Sequence, residues 1–241
     1  MKTVIITGSS RGIGYATANY FGSHGWQVVI NCCHNLTALE TARQTLTSQG
    51  ISVLSVPGDT GDPAFWKEVT DKTLSAFGSI DCIIHNAALS YVGLLTDMSL
   101  EEWHSMMNTN LNALFYGSKE ILPHMISKKS GRIIHVTSVW GEVGASCEVG
   151  YSASKGGVIA FTKALAKELA PSHIQVNALS LGMFDTEMNA CFSEEDKAAI
   201  TEEIPADRMG HPEEAARMLY TIATAPEYLT GQIIRLDGGW I

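Results

Sequence analysis

The chain has 241 residues, 45% of them apolar and 17% charged, with a formal net charge of −9. That length and apolar fraction suit one α/β domain with a large core. The negative balance excludes a nucleic-acid binder, which needs a basic face, and no apolar run approaches the ~20 residues of a membrane helix.

In chain order, Thr3-Val4-Ile5-Ile6 is a short β-branched run and reads as a buried strand near 3–7. It leads straight into Thr7-Gly8-Ser9-Ser10-Arg11-Gly12-Ile13-Gly14, after which Tyr15, Ala18 and Phe21 fall at helical spacing and Gly25 offers a stop. A second strand follows near 27–32. The glycine cluster thus sits at a strand-to-helix turn inside a βαβ unit. There, glycines let backbone approach a pyrophosphate, and the helix N-terminus favours its charge; the plainer reading is a glycine turn that only permits close packing. Further strands are expected near 52–56, 81–85, 132–137, 174–179 and 232–236, with helices between them, notably 99–125 and 150–170. This alternation predicts a doubly wound α/β sheet of seven mostly parallel strands with helices on both faces. Right-handed crossovers then bring the strand C-terminal ends to one edge. Gly8, Gly12, Gly14, Asn86, Ser138 and Gly182 all follow expected strands and so converge there.

Tyr151 and Lys155 stand four apart in Tyr151-Ser-Ala-Ser-Lys155, so both side chains share one helix face. A free tyrosine has a pKa of about 10. A nearby cation favours the phenolate, and such a tyrosine can donate a proton to an alkoxide or take one from an alcohol. Ser138 could hydrogen-bond the same substrate oxygen. The set points to carbonyl/alcohol chemistry with a hydride carried by something else. By itself the pair is also what an exposed helix face would show.

The spacing Thr-Gly-x-x-x-Gly-x-Gly, with Tyr-x-x-x-Lys far downstream, resembles the short-chain dehydrogenase/reductase family across the whole chain. The resemblance implies a single Rossmann-type domain over 1–241, with 184–212 as a substrate lid. It implies a catalytic set of Asn110, Ser138, Tyr151 and Lys155. In it Lys155 depresses the tyrosine pKa and bonds the nicotinamide ribose, and Asn110 holds a water linking Lys155 to solvent. A cofactor is expected on Gly8, Ser10, Arg11, Gly12, Ile13 and Gly14 of the glycine turn, on Asn31 after the second strand, and on Asp59 and Thr60 beside the adenine. Asn86 and Ala87 are expected beneath it. Tyr151, Lys155, Gly182, Met183 and Thr186 are expected at the nicotinamide end, within the matching segment 177–186. Leu236-Asp237-Gly238-Gly239 matches the family's last strand end. Two departures stand out. His85-Asn86-Ala87-Ala88 replaces Asn-Asn-Ala-Gly, adding a methyl at Ala88. Leu181-Gly182 replaces Pro-Gly, which is expected to loosen the nicotinamide-side segment.

NAD enzymes place an acid after the second strand for the ribose. Here Asn31-Cys32-Cys33-His34 has none, and Arg11 is placed to pair with a 2′-phosphate; NADP(H) is therefore expected. The general resemblance is to 3-oxoacyl-acyl-carrier-protein reductases. The stretch from Trp140 to Val149 also resembles a firmicute reductase branch that reduces a 5-aminopentanone group on a lysine of elongation factor P. The expected substrate is accordingly a small ketone, an acyl-carrier-protein thioester or modified elongation factor P. Lys128, Lys129 and Arg132 offer a contact for an acidic carrier, though a solvated turn before a strand is the plainer reading. Glu142 and Glu148 offer one for an ammonium group. A non-catalytic NADP-binding sensor or scaffold is the alternative of another class, and an oxidative sugar or steroid dehydrogenase a third.

Family resemblance also implies a homotetramer built on helices 99–125 and 150–170. Cys32, Cys33, Cys82, Cys147 and Cys191 are odd in number and scattered, and no secretory signal precedes the first strand. Ordinary thiols in a reducing cytoplasm are expected. No metal is expected, because no His/Cys set has ligand spacing; His34, His85, His104 and His135 read as surface or packing residues.

Overall fold

The computed structural model describes residues 1–189 and 192–241; Cys191 and part of the expected lid lie outside the described residues. Seven strands form one sheet in the order β3-β2-β1-β4-β5-β6-β7. They are β1 (Thr3–Ile6), β2 (Gln27–Ile30), β3 (Val53–Ser55), β4 (Cys82–His85), β5 (Gly131–Ser138), β6 (Ile174–Leu181) and β7 (Ile233–Leu236). Every pairing is parallel, so the expected "mostly parallel" sheet is wholly so. The fold is a single Rossmann-type domain.

Side-chain alternation along the strands divides the core. Val4, Ile6, Val28, Ile30 and Ile84 face one side, under α1 (Gly12–Ser23), α2 (Leu36–Ser48) and α9 (Pro212–Thr224). Ile5, Val29, Ile83, Ile133 and Val176 face the other, under α3 (Pro63–Phe77), α5 (Ala113–Lys128) and α7 (Val149–Leu169). Strands this deeply buried on both faces are near-continuous in Val and Ile, which is why short runs sufficed to mark them. Local signals set the helix ends: Asp62 caps α3 ahead of Pro63, and left-handed Gly78 closes it.

The expected helix 99–125 is not continuous. A Ser99/Glu102 capping box opens α4 (Leu100–Met107), a π-helical turn spans Asn108–Asn112, and α5 carries on to Lys128. Ala113 N–H donates to Asn108 O, five residues back. The extra residue in the turn lets Asn110 face inward, where it is almost fully buried.

β1 lies between β2 and β4. Chain direction across the sheet reverses there, so the loops after β1 and β4 splay apart and open a crevice at the strand C-terminal ends. At the opposite end, Lys128 pairs with Asp81, and Arg132 donates to the carbonyls of Ala223 and Ala225. Lys128 and Arg132 thus brace the end of the sheet away from the crevice. His85 and His135 pack against each other in the core with ring centroids 5.2 Å apart and planes tilted by 48°, whereas His34 and His104 are exposed. No helix among the described residues is long and apolar enough to cross a membrane.

Candidate active site

The crevice is laced by short side chains. Thr7 Oγ1 accepts from the N–H groups of Asn86 and Ala87, both at 3.0 Å, and Asn86 Nδ2 donates back to the carbonyls of Thr7 and Gly8. Ser9 Oγ donates to Ile6 O and accepts from Asn31 N–H. Thr7 and Ser9 were absent from the expected site; a hydroxyl beside a glycine turn has a loop-tying use that spacing alone does not reveal. Asn31 turns inward, accepting from Gly8 N–H and donating to Val56 O and Gly58 O. It shapes the glycine turn from below. Asp59 accepts from Gly61 N–H, and Thr60 O receives the Trp66 indole.

The glycine turn has the form of a phosphate cradle. Gly8 is left-handed (φ 63°), and a Cβ there would lie 2.9 Å from Ala87 Cα. A Cβ on Gly14 would meet Gly8 O at 2.2 Å. Both positions therefore admit only glycine. No side chain caps the N-terminus of α1, unlike those of α2, α3 and α4, so its first amides face the crevice undressed. Such a terminus suits a pyrophosphate. Across the crevice, Thr186 approaches Gly12, and Arg11 is ion-paired with Glu187. Ser10 lies on the same turn, partly buried.

The crevice continues into a cavity of about 460 Å³ whose wall includes Ile13, Asn86, Ala88, Ser138, Tyr151, Lys155, Gly182, Met183 and Thr186. The other expected cofactor residues lie outside that cavity, toward β2 and β3. Ser138 ends β5; its Oγ accepts from Trp140 N–H at 3.2 Å, and its hydroxyl faces the Tyr151 phenol closely enough to lower its pKa. Lys155 is buried, with Nζ donating to Val136 O at 2.9 Å and lying 5.6 Å above the Tyr151 ring. Burial pushes the Lys155 ammonium down to about 8. Burial and then the Glu148 carboxylate raise the Tyr151 phenol above its ordinary 10, with Ser138 pulling back. The causes that act on the phenol here, burial and Glu148, favour its protonated form.

Asn110 is bonded through both ends of its side-chain amide. Its Oδ1 accepts from Leu89 N–H, and Nδ2 donates to Leu89 O and Ser154 Oγ, all within 3.0 Å. Both of its N–H groups are taken, so its side chain anchors the loop after β4 to α7 and donates to no water. Ser154, the third residue between Tyr151 and Lys155, is the partner the sequence reading passed over. Leu181 is buried and its carbonyl accepts from Val139 N–H, while Gly182 N–H donates to Leu236 O. The start of that segment is thus bonded on both sides, to the residue after β5 and to β7. Glu142, on the short helix α6 (Trp140–Val143), is committed to Arg235 and Ser180 and is withdrawn as an ammonium contact. Glu148 remains in the cavity wall.

Residues 2–197 match the family model of the short chain dehydrogenases. The chain belongs to that family. As a short-chain dehydrogenase it is an oxidoreductase of the alcohol/carbonyl class that uses a nicotinamide cofactor, which the uncapped α1 terminus and the glycine cradle fit. It is 36% identical to a 3-oxoacyl-[acyl-carrier-protein] reductase of Synechocystis sp., over 100% of this chain and 97% of that protein. It is equally 36% identical to YmfI, an uncharacterized oxidoreductase of Bacillus subtilis, over 99% and 98%. Among solved structures, YwfH, an NADPH dependent reductase involved in bacilysin biosynthesis, superposes with a TM-score of 0.93 at 25% identity, covering 100% of this chain and 98% of its own.

Proposed function

We propose that this dehydrogenase is an NADPH-dependent carbonyl reductase of the 3-oxoacyl-[acyl-carrier-protein] reductase kind, acting in the cytoplasm as a homotetramer. The observation that carries the reading is the meeting of Ser138, Tyr151 and Lys155 with Asn86, Gly182 and Thr186 in one cavity. The nicotinamide, when bound, supplies the hydride. Ser138 orients the ketone oxygen, and the protonated Tyr151 phenol gives it a proton. Lys155 bonds the ribose and supplies positive charge beside the developing alkoxide. Asn110 holds the loop that carries Asn86 and Ala87. Asp59 and Thr60 flank the adenine, and 184–212 covers the substrate. The lack of an acid after β2, together with Arg11 at the crevice mouth, supports a 2′-phosphate. Exposed Leu100 and Phe115 on the α4–α5 face support assembly.

Glu148 favours a second reading, reduction of a ketone bearing an ammonium group, as in elongation factor P carrying 5-aminopentanone. Its carboxyl is half-buried, raised by burial, and bonded by the Trp140 side chain. No lysine or arginine among the described residues forms an ion pair with it. Initial rates of NADPH oxidation with an acetoacetyl thioester and with aminopentanone-modified elongation factor P distinguish the readings. On the second, Glu148→Gln lowers kcat/KM about tenfold for the aminoketone alone; equal effects on both substrates remove Glu148 as a selector. A cofactor-binding sensor without turnover has no use for Tyr151 beside the buried Lys155, and it predicts no oxidation with any ketone.

A further inference from the structure

The cavity wall contains an aromatic pair that no catalytic or cofactor motif explains. Trp140 and Trp240 meet edge to face, ring centroids 4.8 Å apart at 61°, and both line the cavity. Trp240 reaches it because the segment after β7 folds back on itself. Asp237 accepts from Gly239 N–H and Ile241 N–H. Arg235, on β7, donates at 2.6 Å both to Ile241 O and to Glu142 Oε2. Glu142 stands two residues past Trp140, and its other carboxylate oxygen accepts from Ser180 at 2.5 Å. One guanidinium thus fastens both tryptophan-bearing segments to the sheet. From the other side, the Trp240 indole donates to Glu203 at the end of α8 (Glu194–Glu203), and Ala206 N–H donates to Gly238 O.

An indole held from two sides cannot swing away to admit a larger ligand without breaking those contacts. The cavity of about 460 Å³ must also take the nicotinamide end, so only part of it is left for the ketone. We infer that Trp240 is a specificity-determining residue that restricts the substrate to ketones with compact substituents, with Arg235 and Glu142 as its positioning residues. This rests on the carbonyl-reductase reading and narrows its substrate class toward short acyl chains.

Steady-state kinetics with 3-oxoacyl thioesters of N-acetylcysteamine, from four to ten carbons, test it. The native chain favours the shortest. Trp240→Ala raises the ten-carbon to four-carbon ratio of kcat/KM about tenfold, the scale of a few methylenes gained in a pocket, with the shift carried by KM. Trp240→Phe keeps most of the native ratio. Arg235→Gln moves the ratio the same way as Trp240→Ala, and Arg235→Lys partly restores it, which a merely structural loss would not do. An unchanged ratio in Trp240→Ala and Arg235→Gln overturns the inference. Should the native chain reduce none of these thioesters, the reductase reading fails by itself. Calorimetric affinities for the same thioesters then read the wall: a ranking that favours short chains and is relaxed by Trp240→Ala upholds it, and an unrelaxed ranking overturns it.

Discussion

Tyr151 and Lys155 show how burial sets the direction of the chemistry. A phenol raised above 10 stays protonated at neutral pH and is suited to giving a proton to a forming alkoxide. Lys155, pushed down to about 8, keeps its charge below that pH and loses it above. Both working forms carry their proton, so kcat/KM for ketone reduction is flat on the acid side and falls as pH rises through about 8. A profile rising from pH 7 to 9 contradicts these assignments. On the proposed NADPH reading, Arg11 is the residue on which cofactor choice turns. Its pair with Glu187 is exposed on both sides, and such pairs contribute little, so a phosphate competes for it easily. Arg11→Ala therefore raises KM for NADPH by about tenfold and leaves KM for NADH nearly unmoved. Equal effects on the two cofactors remove Arg11 from the 2′-phosphate site.

Among the elements, the π-helical turn does the most to build the site. It aims Asn110 at Leu89 and Ser154, joining the loop after β4 to the helix that carries Tyr151 and Lys155. Asn110→Ala leaves the partly buried Leu89 N–H and C=O without their side-chain partner and removes one bond from Ser154 Oγ, which keeps its bond to Tyr151 O, at a cost of about 1–2 kcal/mol. Urea unfolding measures it; a loss below about 0.5 kcal/mol, the range of ordinary surface substitutions, shows that the anchor is dispensable. The sequence made the strands and the glycine turn legible because both depend on local chemistry: β-branched runs, and glycines where no Cβ fits. It hid the π turn, because one inserted residue leaves helical periodicity almost intact. It also hid the fixing of Leu181, whose backbone is held by β5 and β7 rather than by its own side chain. The roles of Glu142 and Arg235 were likewise out of reach, since 93 residues separate the partners.

At the scale of the molecule, a switch in strand order places one crevice, and the loops after β1, β4, β5 and β6 converge on it. Of the four residues that family resemblance singled out, Ser138, Tyr151 and Lys155 line the cavity, and Asn110 stands behind it. Lys155 lies over the Tyr151 ring, and the Asn110 side chain is bonded to Leu89 and Ser154. The tryptophan wall was not legible, because Trp240 enters the cavity through contacts between segments far apart in the chain. The central claim is that this cavity reduces ketones with Tyr151 as the proton donor. Its most direct test is the rate of NADPH oxidation with an acetoacetyl thioester by the native chain and by Tyr151→Phe, alongside NADPH binding by fluorescence. The account predicts that binding persists while kcat falls at least about 100-fold. A Tyr151→Phe variant that turns over at the native rate contradicts it.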